Sequence, residues 1–226
     1  MESFARTLHG VLQGIENAAT LSGRPGAVKL LAVSKTRPAD AVRALAAAGQ
    51  RAFGENYVQE GVAKRQALAD LDLEWHLIGH LQSNKSRDAA EHFDWVHSLD
   101  RPKLVDALDQ ARPAARPPLN VLIQVNVDGE ASKSGCAPGD VMALAGRIAA
   151  APRLRLRGLM AIPEPHPDPG HRRDAFRRLK ALQDQLAAEH PSVDTLSMGM
   201  SDDYALAIAE GSTLVRIGTA LFGRRD

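Results

Sequence analysis

Short apolar runs alternate with stretches of helical periodicity along the whole chain. The runs are Leu30–Lys35 (LLAVSK), Ala52–Asn56 (AFGEN), Trp75–Gly79 (WHLIG), Trp95–Leu99 (WVHSL), Val121–Val127 (VLIQVNV), Gly158–Ile162 (GLMAI), Thr195–Met200 (TLSMGM) and Leu214–Gly218 (LVRIG). Most are nearly continuous in apolar residues rather than alternating, the pattern of strands buried on both faces of a parallel sheet.

Helical segments fill the gaps. Pro38–Ala48 has Pro in its first turn and Gly49 just past its end, the asymmetry expected of helix termini. Further helices are expected over Tyr57–Asp70, Ser83–Glu91, Gly139–Ala150 and Arg172–Ala188, and from Pro102 onward with Asp100 as N-cap. Ser201–Glu210 opens on Ser-Asp-Asp and stops at Gly211, again a suitable pair of ends. A leading helix over Phe4–Ala19 precedes the first strand. Strict β-then-α alternation implies right-handed crossovers and a parallel sheet. Eight such units in 226 residues predict an α/β fold, a TIM-type (β/α)8 barrel at the compact end of its range. An open doubly wound sheet is the rival. The first strand is not followed by GxGxxG, which weakens a dinucleotide-binding version of it. The Pro-rich stretches Arg112–Pro118 and Pro163–Pro169 read as surface loops, because the alternation continues beyond each, so residues 1–226 are expected to form one barrel domain.

Charge and cysteine content narrow the function classes. Lys+Arg number 28 against Asp+Glu 27, with no basic excess of the kind a nucleic-acid or membrane-surface partner demands. The single cysteine, Cys136, rules out an intramolecular disulfide and fits a reducing compartment. The N-terminal segment lacks the apolar core of a signal peptide, and no apolar run approaches the ~18 residues that span a bilayer. A cytoplasmic location is expected.

In a β/α barrel the chemistry sits at the C-terminal ends of the strands. That rule selects Lys35, Asn56, His76, His80, Ser98, Asn126, Asp128, Met160, Ser201, Gly218 and Thr219. A lysine at a barrel mouth sheds hydration and becomes a candidate for Schiff-base chemistry; alone, Lys35 could simply mark where a strand meets water. The run Arg216-Ile-Gly-Thr-Ala-Leu-Phe-Gly is more informative. Barrels commonly bind phosphate with the loops after strands 7 and 8. Gly218 admits close approach, Thr219 adds a hydroxyl and an amide, and Ser201 stands at the matching place after strand 7. Arg216 lies two residues before Gly218, so alternation turns both toward the site. A buried arginine needs a partner, either a core carboxylate or a ligand atom such as the pyridine nitrogen of pyridoxal 5′-phosphate (PLP). Cys136 reads as an incidental thiol. His76 and His80 lack companions at metal-ligand spacing, so no metal is expected. The basic run His171–Arg178 reads as the solvated face of a helix.

Seven blocks carry a resemblance. AVSKTRP (Ala32–Pro38), FGENYVQE (Phe53–Glu60), WHLIGHLQSNKSR (Trp75–Arg87), EASKSG (Glu130–Gly135), GLMAIP (Gly158–Pro163), LSMGMSDDYALAIAEGST (Leu196–Thr213) and VRIGTALFG (Val215–Gly223) resemble, in order and over nearly the whole chain, the YggS-like family of PLP homeostasis proteins, called PLPBP in animals. The resemblance implies a fold-type III PLP barrel similar to the N-terminal domain of alanine racemase. It implies PLP as cofactor, with Lys35 as its Schiff-base lysine, Ser201, Gly218 and Thr219 binding phosphate, Arg216 facing the pyridine nitrogen, and Asn56 and Met200 lining the ring. It also implies that PLP is buffered or delivered, with apo PLP-dependent enzymes as recipients, rather than used in a dedicated reaction. The alternative is an amino-acid racemase. Two-base racemisation needs a second acid/base across from Lys35, and neither Tyr57 nor Tyr204 has an obvious claim to that face. A cofactor-free Schiff-base aldolase is a third reading, weakened because Lys35 follows strand 1 whereas aldolase lysines come late in the barrel. No further domain is expected after the last strand, which implies a monomer with an open site.

Overall fold

The computed structural model describes residues 2–130 and 133–223. Eight parallel strands close into a barrel in sequence order: β1 (Lys29–Val33), β2 (Ala52–Glu55), β3 (Glu74–Leu77), β4 (Trp95–Leu99), β5 (Leu119–Gln124), β6 (Leu154–Met160), β7 (Thr195–Met200) and β8 (Leu214–Ile217). Closure is made by β8 pairing with β1, Arg216 opposite Leu31 and Ile217 opposite Ala32. The barrel reading holds and the open sheet does not.

Around the barrel run α2 (Ala39–Ala47), α3 (Val58–Ala67), α4 (Ser86–His92), α5 (Pro102–Ala111), α6 (Val141–Ala149), α7 (Pro169–Glu189), α8 (Tyr204–Ala209) and the short α9 (Thr219–Phe222). Each long helix buries one stripe at helical spacing. Val42, Leu45 and Ala46 do so on α2, Leu104, Val105 and Leu108 on α5, and Ala175, Phe176, Leu179 and Leu186 on α7. A wholly buried side chain such as Phe176 contributes about 1.5–3 kcal/mol. The leading helix α1 (Glu2–Leu21) packs on α8 and α9 through Leu8, Ile15 and Ala19. Gly14 makes that approach possible, since a Cβ there would lie 2.5 Å from the Tyr204 hydroxyl.

The main apolar core is the shell between strands and helices. Among the described residues, Trp95, Leu122 and Met160 form a separate, small apolar cluster inside the barrel. Buried His76, His97, Gln124, Ser197 and Arg216 share the strands that face it. Barrel interiors are ordinarily filled by branched apolar residues, so this one is unusually polar.

Several boundaries differ from expectation. β1 stops at Val33, and Lys35 lies in the following turn. β6 starts at Leu154, because the alternating LRLR segment is strand too. β5 covers Leu119–Gln124, after which Val125 pairs only with Cys136 in an isolated bridge. That bridge buries the Cys136 thiol, and burial, with Asp140 and Asp100 nearby, pushes it up to about 12. Asp100 is not the N-cap of α5; Arg101 holds that place, and the Asp100 carboxylate accepts from Arg101 Nη1 at 2.6 Å. The helix expected from Ser201 starts at Tyr204, because Ser201–Asp203 form a turn in which Asp203 Oδ1 accepts from the Met200 N–H at 2.7 Å. α7 begins three residues earlier than Arg172, at Pro169, capped by the Asp168 carboxylate on Gly170 N at 2.9 Å. Among the described residues no helix is long and apolar enough to cross a membrane.

Candidate functional site

At the C-terminal ends of the strands lies a cavity of about 540 Å3, well within the range of small-molecule sites. All seven predicted site residues line it: Lys35, Asn56, Met200, Ser201, Arg216, Gly218 and Thr219. They come from four places in the barrel. Lys35 follows β1, Asn56 follows β2, Met200 ends β7 with Ser201 next, and Arg216, Gly218 and Thr219 run from β8 into α9.

Lys35 sits in a tightly defined turn. Thr36 has φ 63, the left-handed region that a β-branched residue adopts only when its surroundings insist. The surroundings here are a buried ion cluster behind the wall. Lys64 Nζ donates to the Ser34 carbonyl, to Glu55 Oε1 and to Glu60 Oε1, each at 2.7 Å, using all three of its hydrogens. Glu60 Oε1 also accepts the Thr36 N–H at 2.6 Å, and Glu55 Oε1 accepts the Ser34 hydroxyl at 2.6 Å. Both neighbours of Lys35 are thus tied to one cluster between β2 and α3. Burial pushes the Glu55 carboxyl above the usual carboxylate range, against the pull of Lys64 and Ser34.

Arg216 is buried yet lines the cavity. Its Nη1 donates to the Ser197 carbonyl at 2.8 Å and the Ser197 hydroxyl at 2.7 Å, and its Nη2 to the Ala161 carbonyl at 2.9 Å. Among the described residues no carboxylate pairs with it. Burial lowers its pKa to about 10, with only Asp203 pulling the other way. A guanidinium held by neutral acceptors alone keeps most of its charge available to whatever enters the cavity.

Gly218 lets β8 leave the barrel close to β1, since a Cβ there would approach the Val33 carbonyl to 3.2 Å. The amides that open α9 have no intrahelical acceptor, and the Thr219 hydroxyl lies beside them on the exposed side of the cavity. The turn carrying Ser201 comes close because Gly199, at φ 92, admits Ala207; a Cβ at Gly199 would meet that methyl at 2.5 Å.

Of the other mouth candidates, His80 joins the cavity. His76 and Ser98 are buried in the barrel wall and interior, Met160 belongs to the inner apolar cluster, and Asn126 bonds the Glu130 carbonyl at 2.7 Å. Asp128 is engaged by Arg178 at 2.8 Å, so the basic run on α7 is not merely solvated. Sequence reasoning assigned no place to Gln124, Lys133, Ser134 and Asp202, polar residues that also line the wall, nor to Ser197, Lys64 and Glu60, which hold Arg216 and the Lys35 turn. Glu60 stands inside FGENYVQE and Lys133 inside EASKSG, and those blocks were the available signal. Ala131 and Ser132 of the latter block lie outside the described residues.

The profile of the alanine racemase N-terminal domain family matches residues 13–226. A protein from Pseudomonas aeruginosa named pyridoxal phosphate homeostasis protein is 58% identical over 227 residues, covering 100% of this chain and 97% of that one. The chain belongs to the pyridoxal phosphate homeostasis protein family. Its Escherichia coli K12 relative of the same name is 53% identical over 230 residues, covering 100% of this chain and 98% of that one. The structure of PipY from Synechococcus elongatus with PLP bound is similar to this homeostasis-family barrel at TM-score 0.82 and 39% identity, over 97% of this chain and 100% of that chain.

Proposed function

We propose that this chain binds PLP as a Schiff base on Lys35 and holds it for release to apo PLP-dependent enzymes, without a reaction of its own. PLP supplies an aldehyde that condenses with an amine and a ring that can draw electrons from it. The observation that carries the reading is the meeting, in one cavity, of Lys35 and a buried guanidinium that has no carboxylate of its own. The donor set fits the group. Arg216 would face the ring nitrogen, Ser201 with Gly218 and Thr219 the phosphate, and Asn56 and Met200 the ring. An arginine at that nitrogen keeps it unprotonated, which weakens the ring as an electron sink and disfavours transamination and decarboxylation. The described lining contains no tyrosine to serve as a second acid/base: Tyr57 is 63% exposed elsewhere, and Tyr204 faces α1. That supports holding over racemisation. His80, Ser134, Asp202 and Thr219 on the lining are exposed, so a cofactor held there would be reachable by an acceptor's amine.

The test is to add PLP to wild type and to Lys35→Ala, record the visible spectrum, reduce with borohydride and map the adduct. The expected result is a visible band that reduction abolishes, with the adduct on the Lys35 peptide and none in the variant. Equal spectra in both proteins would overturn the assignment.

A further inference from the structure

A hydrogen-bonded line runs through the barrel interior from Arg216 to the opposite end. Arg216 Nη1 donates to Ser197 Oγ at 2.7 Å. Ser197 Oγ lies 3.3 Å from His97 Nδ1, His97 Nε2 lies 2.9 Å from His76 Nδ1, and His76 Nε2 lies 2.8 Å from Glu74 Oε1. His76, His97 and Ser197 are all buried, whereas the Glu74 side chain is about half exposed, at 49%. Glu74 and His76 line a second cavity, of about 160 Å3, at the N-terminal ends of the strands. The line therefore joins the two ends of the barrel.

Its two termini fix the direction of every bond. Arg216 can only donate. Glu74, held below the usual carboxylate range chiefly by the bond from His76, can only accept. His76 thus carries hydrogen on Nε2. With His76 neutral, its Nδ1 accepts from His97 Nε2–H, His97 Nδ1 accepts from the Ser197 hydroxyl, and that hydroxyl accepts from Arg216. Burial, followed by the nearness of His76 and Arg216, pushes His97 well below 6.5, so His97 stays neutral in this arrangement. Each group then has one donor and one acceptor, with none left over.

One added proton, on His76 Nδ1, reverses the line. His76 then donates to His97 Nε2, and the hydrogen of neutral His97 must sit on Nδ1. Ser197 Oγ receives from both His97 and Arg216, and its own hydrogen has no acceptor left in the line. The two states differ by that one proton and by the side of the His97 ring that is protonated.

We propose that Ser197, His97, His76 and Glu74 are positioning residues for Arg216, and that protonation at the Glu74–His76 end, by making Arg216 share the Ser197 oxygen with a second donor, weakens the hold on Arg216 and lowers PLP affinity at the other. The proposal rests on the reading that Arg216 faces the cofactor. The charged groups around the switch come from every side. Glu74 is on β3 with Lys29 of β1 acting on it, Asp194 precedes β7, and Arg157 of β6 pairs with Asp194 and lies 4.8 Å over the Trp95 ring. Trp95 stacks on His76 at 5.2 Å. Arg216 and Asp203 act from above. Among the described residues the carboxylate bonded to His76 is that of Glu74, so neutralising Glu74 is the change that disfavours the protonated state without touching the cofactor cavity.

Two measurements test this. The first is the ring-nitrogen NMR spectrum of the histidines without PLP. At pH 8, His97 is expected as the Nε2–H tautomer, and the arrival of a second ring hydrogen on His76 as the pH falls is expected to coincide with a shift of His97 to Nδ1–H. The second is PLP dissociation constants at pH 8 and pH 6 for wild type and Glu74→Gln. The two proteins should bind alike at pH 8, and wild type should lose at least fivefold more affinity than the variant at pH 6. An Nδ1–H tautomer of His97 at pH 8, or superimposable pH profiles for the two proteins, would overturn the proposal. Correct tautomers in a protein that binds no PLP would sink the cofactor reading and leave the line itself standing.

Discussion

Lys64 and Arg216 are both buried cations, at 6% and 4% exposure, and they sit in opposite kinds of company. Lys64 is enclosed by Glu55 and Glu60 and spends all three hydrogens on protein atoms. Arg216 bonds two carbonyls and a hydroxyl, meets no carboxylate among the described residues, and faces a cavity. A cation whose counter-charge is built into the protein completes a structure. One without a counter-charge among the described residues leaves its charge open to whatever enters the cavity, and burial lowers the pKa of Arg216 accordingly.

The largest effect expected from this contrast is on stability. Lys64→Met removes the cation between two carboxylates and should destabilise the protein by about 3–5 kcal/mol, the cost of breaking a buried pair from one side. Urea unfolding reads it directly, and a loss under about 1 kcal/mol would mean that the wall cluster is not closed. Arg216→Met should do less to the protein and more to the cofactor. The stability loss should stay within about 1–3 kcal/mol, for the carbonyls of Ser197 and Ala161 left without a donor. PLP affinity should fall at least about tenfold, equivalent to roughly 1.4 kcal/mol. A variant that unfolds like Lys64→Met while keeping its PLP affinity would erase the distinction.

The smallest expected effect is on the pH dependence of stability, where the two clusters pull in opposite senses. His97 is held neutral in the folded protein, whereas in the unfolded chain it takes up a proton below its ordinary value of 6.5. Its contribution is therefore complete above pH 6.5 and is lost as pH falls, by at most about 1.4 kcal/mol per pH unit. Glu55 is raised, so its contribution is complete below its ordinary 4.5 and is lost as pH rises through its folded value. Urea midpoints at pH 7, 6 and 5 should decline for wild type and decline less for His97→Gln. Parallel slopes would show that His97 is not held neutral.

The barrel was legible because its strands are short, mostly apolar runs alternating with helical segments, a pattern that survives the few polar residues turned into the barrel interior. Boundaries failed where polar residues belong to strands or apolar ones leave them. Arg155 and Arg157 are part of β6, while Val127 lies past the end of β5. The site residues were legible in part for a topological reason, since the cavity opens at the C-terminal ends of the strands, but Ser98, Asn126, Asp128 and Met160 stand at or near strand ends without lining it, and the motif blocks made the difference. What held them was not legible. The grip on Lys35 depends on which face of α3 turns inward, and that on Arg216 depends on the β7–β8 register, which shifts between Ser197 and Met200. The tautomeric line needs residues from β3, β4, β7 and β8 to meet inside the barrel, and no spacing within one segment encodes that.

The Cys136 thiol has a consequence of its own. A thiol pushed up to about 12 is almost entirely protonated at neutral pH, and it is buried two residues beyond Ser134 of the cavity wall. The Cys136 N–H donates to the Gln124 carbonyl and its carbonyl accepts the Asn126 N–H, each at 2.9 Å, so alkylation by maleimide should require these bonds to open. The rate at which the protein's one thiol is alkylated should therefore act as a clock for the opening of this part of the rim. A ligand that bridges the rim would slow that clock without ever touching the sulfur.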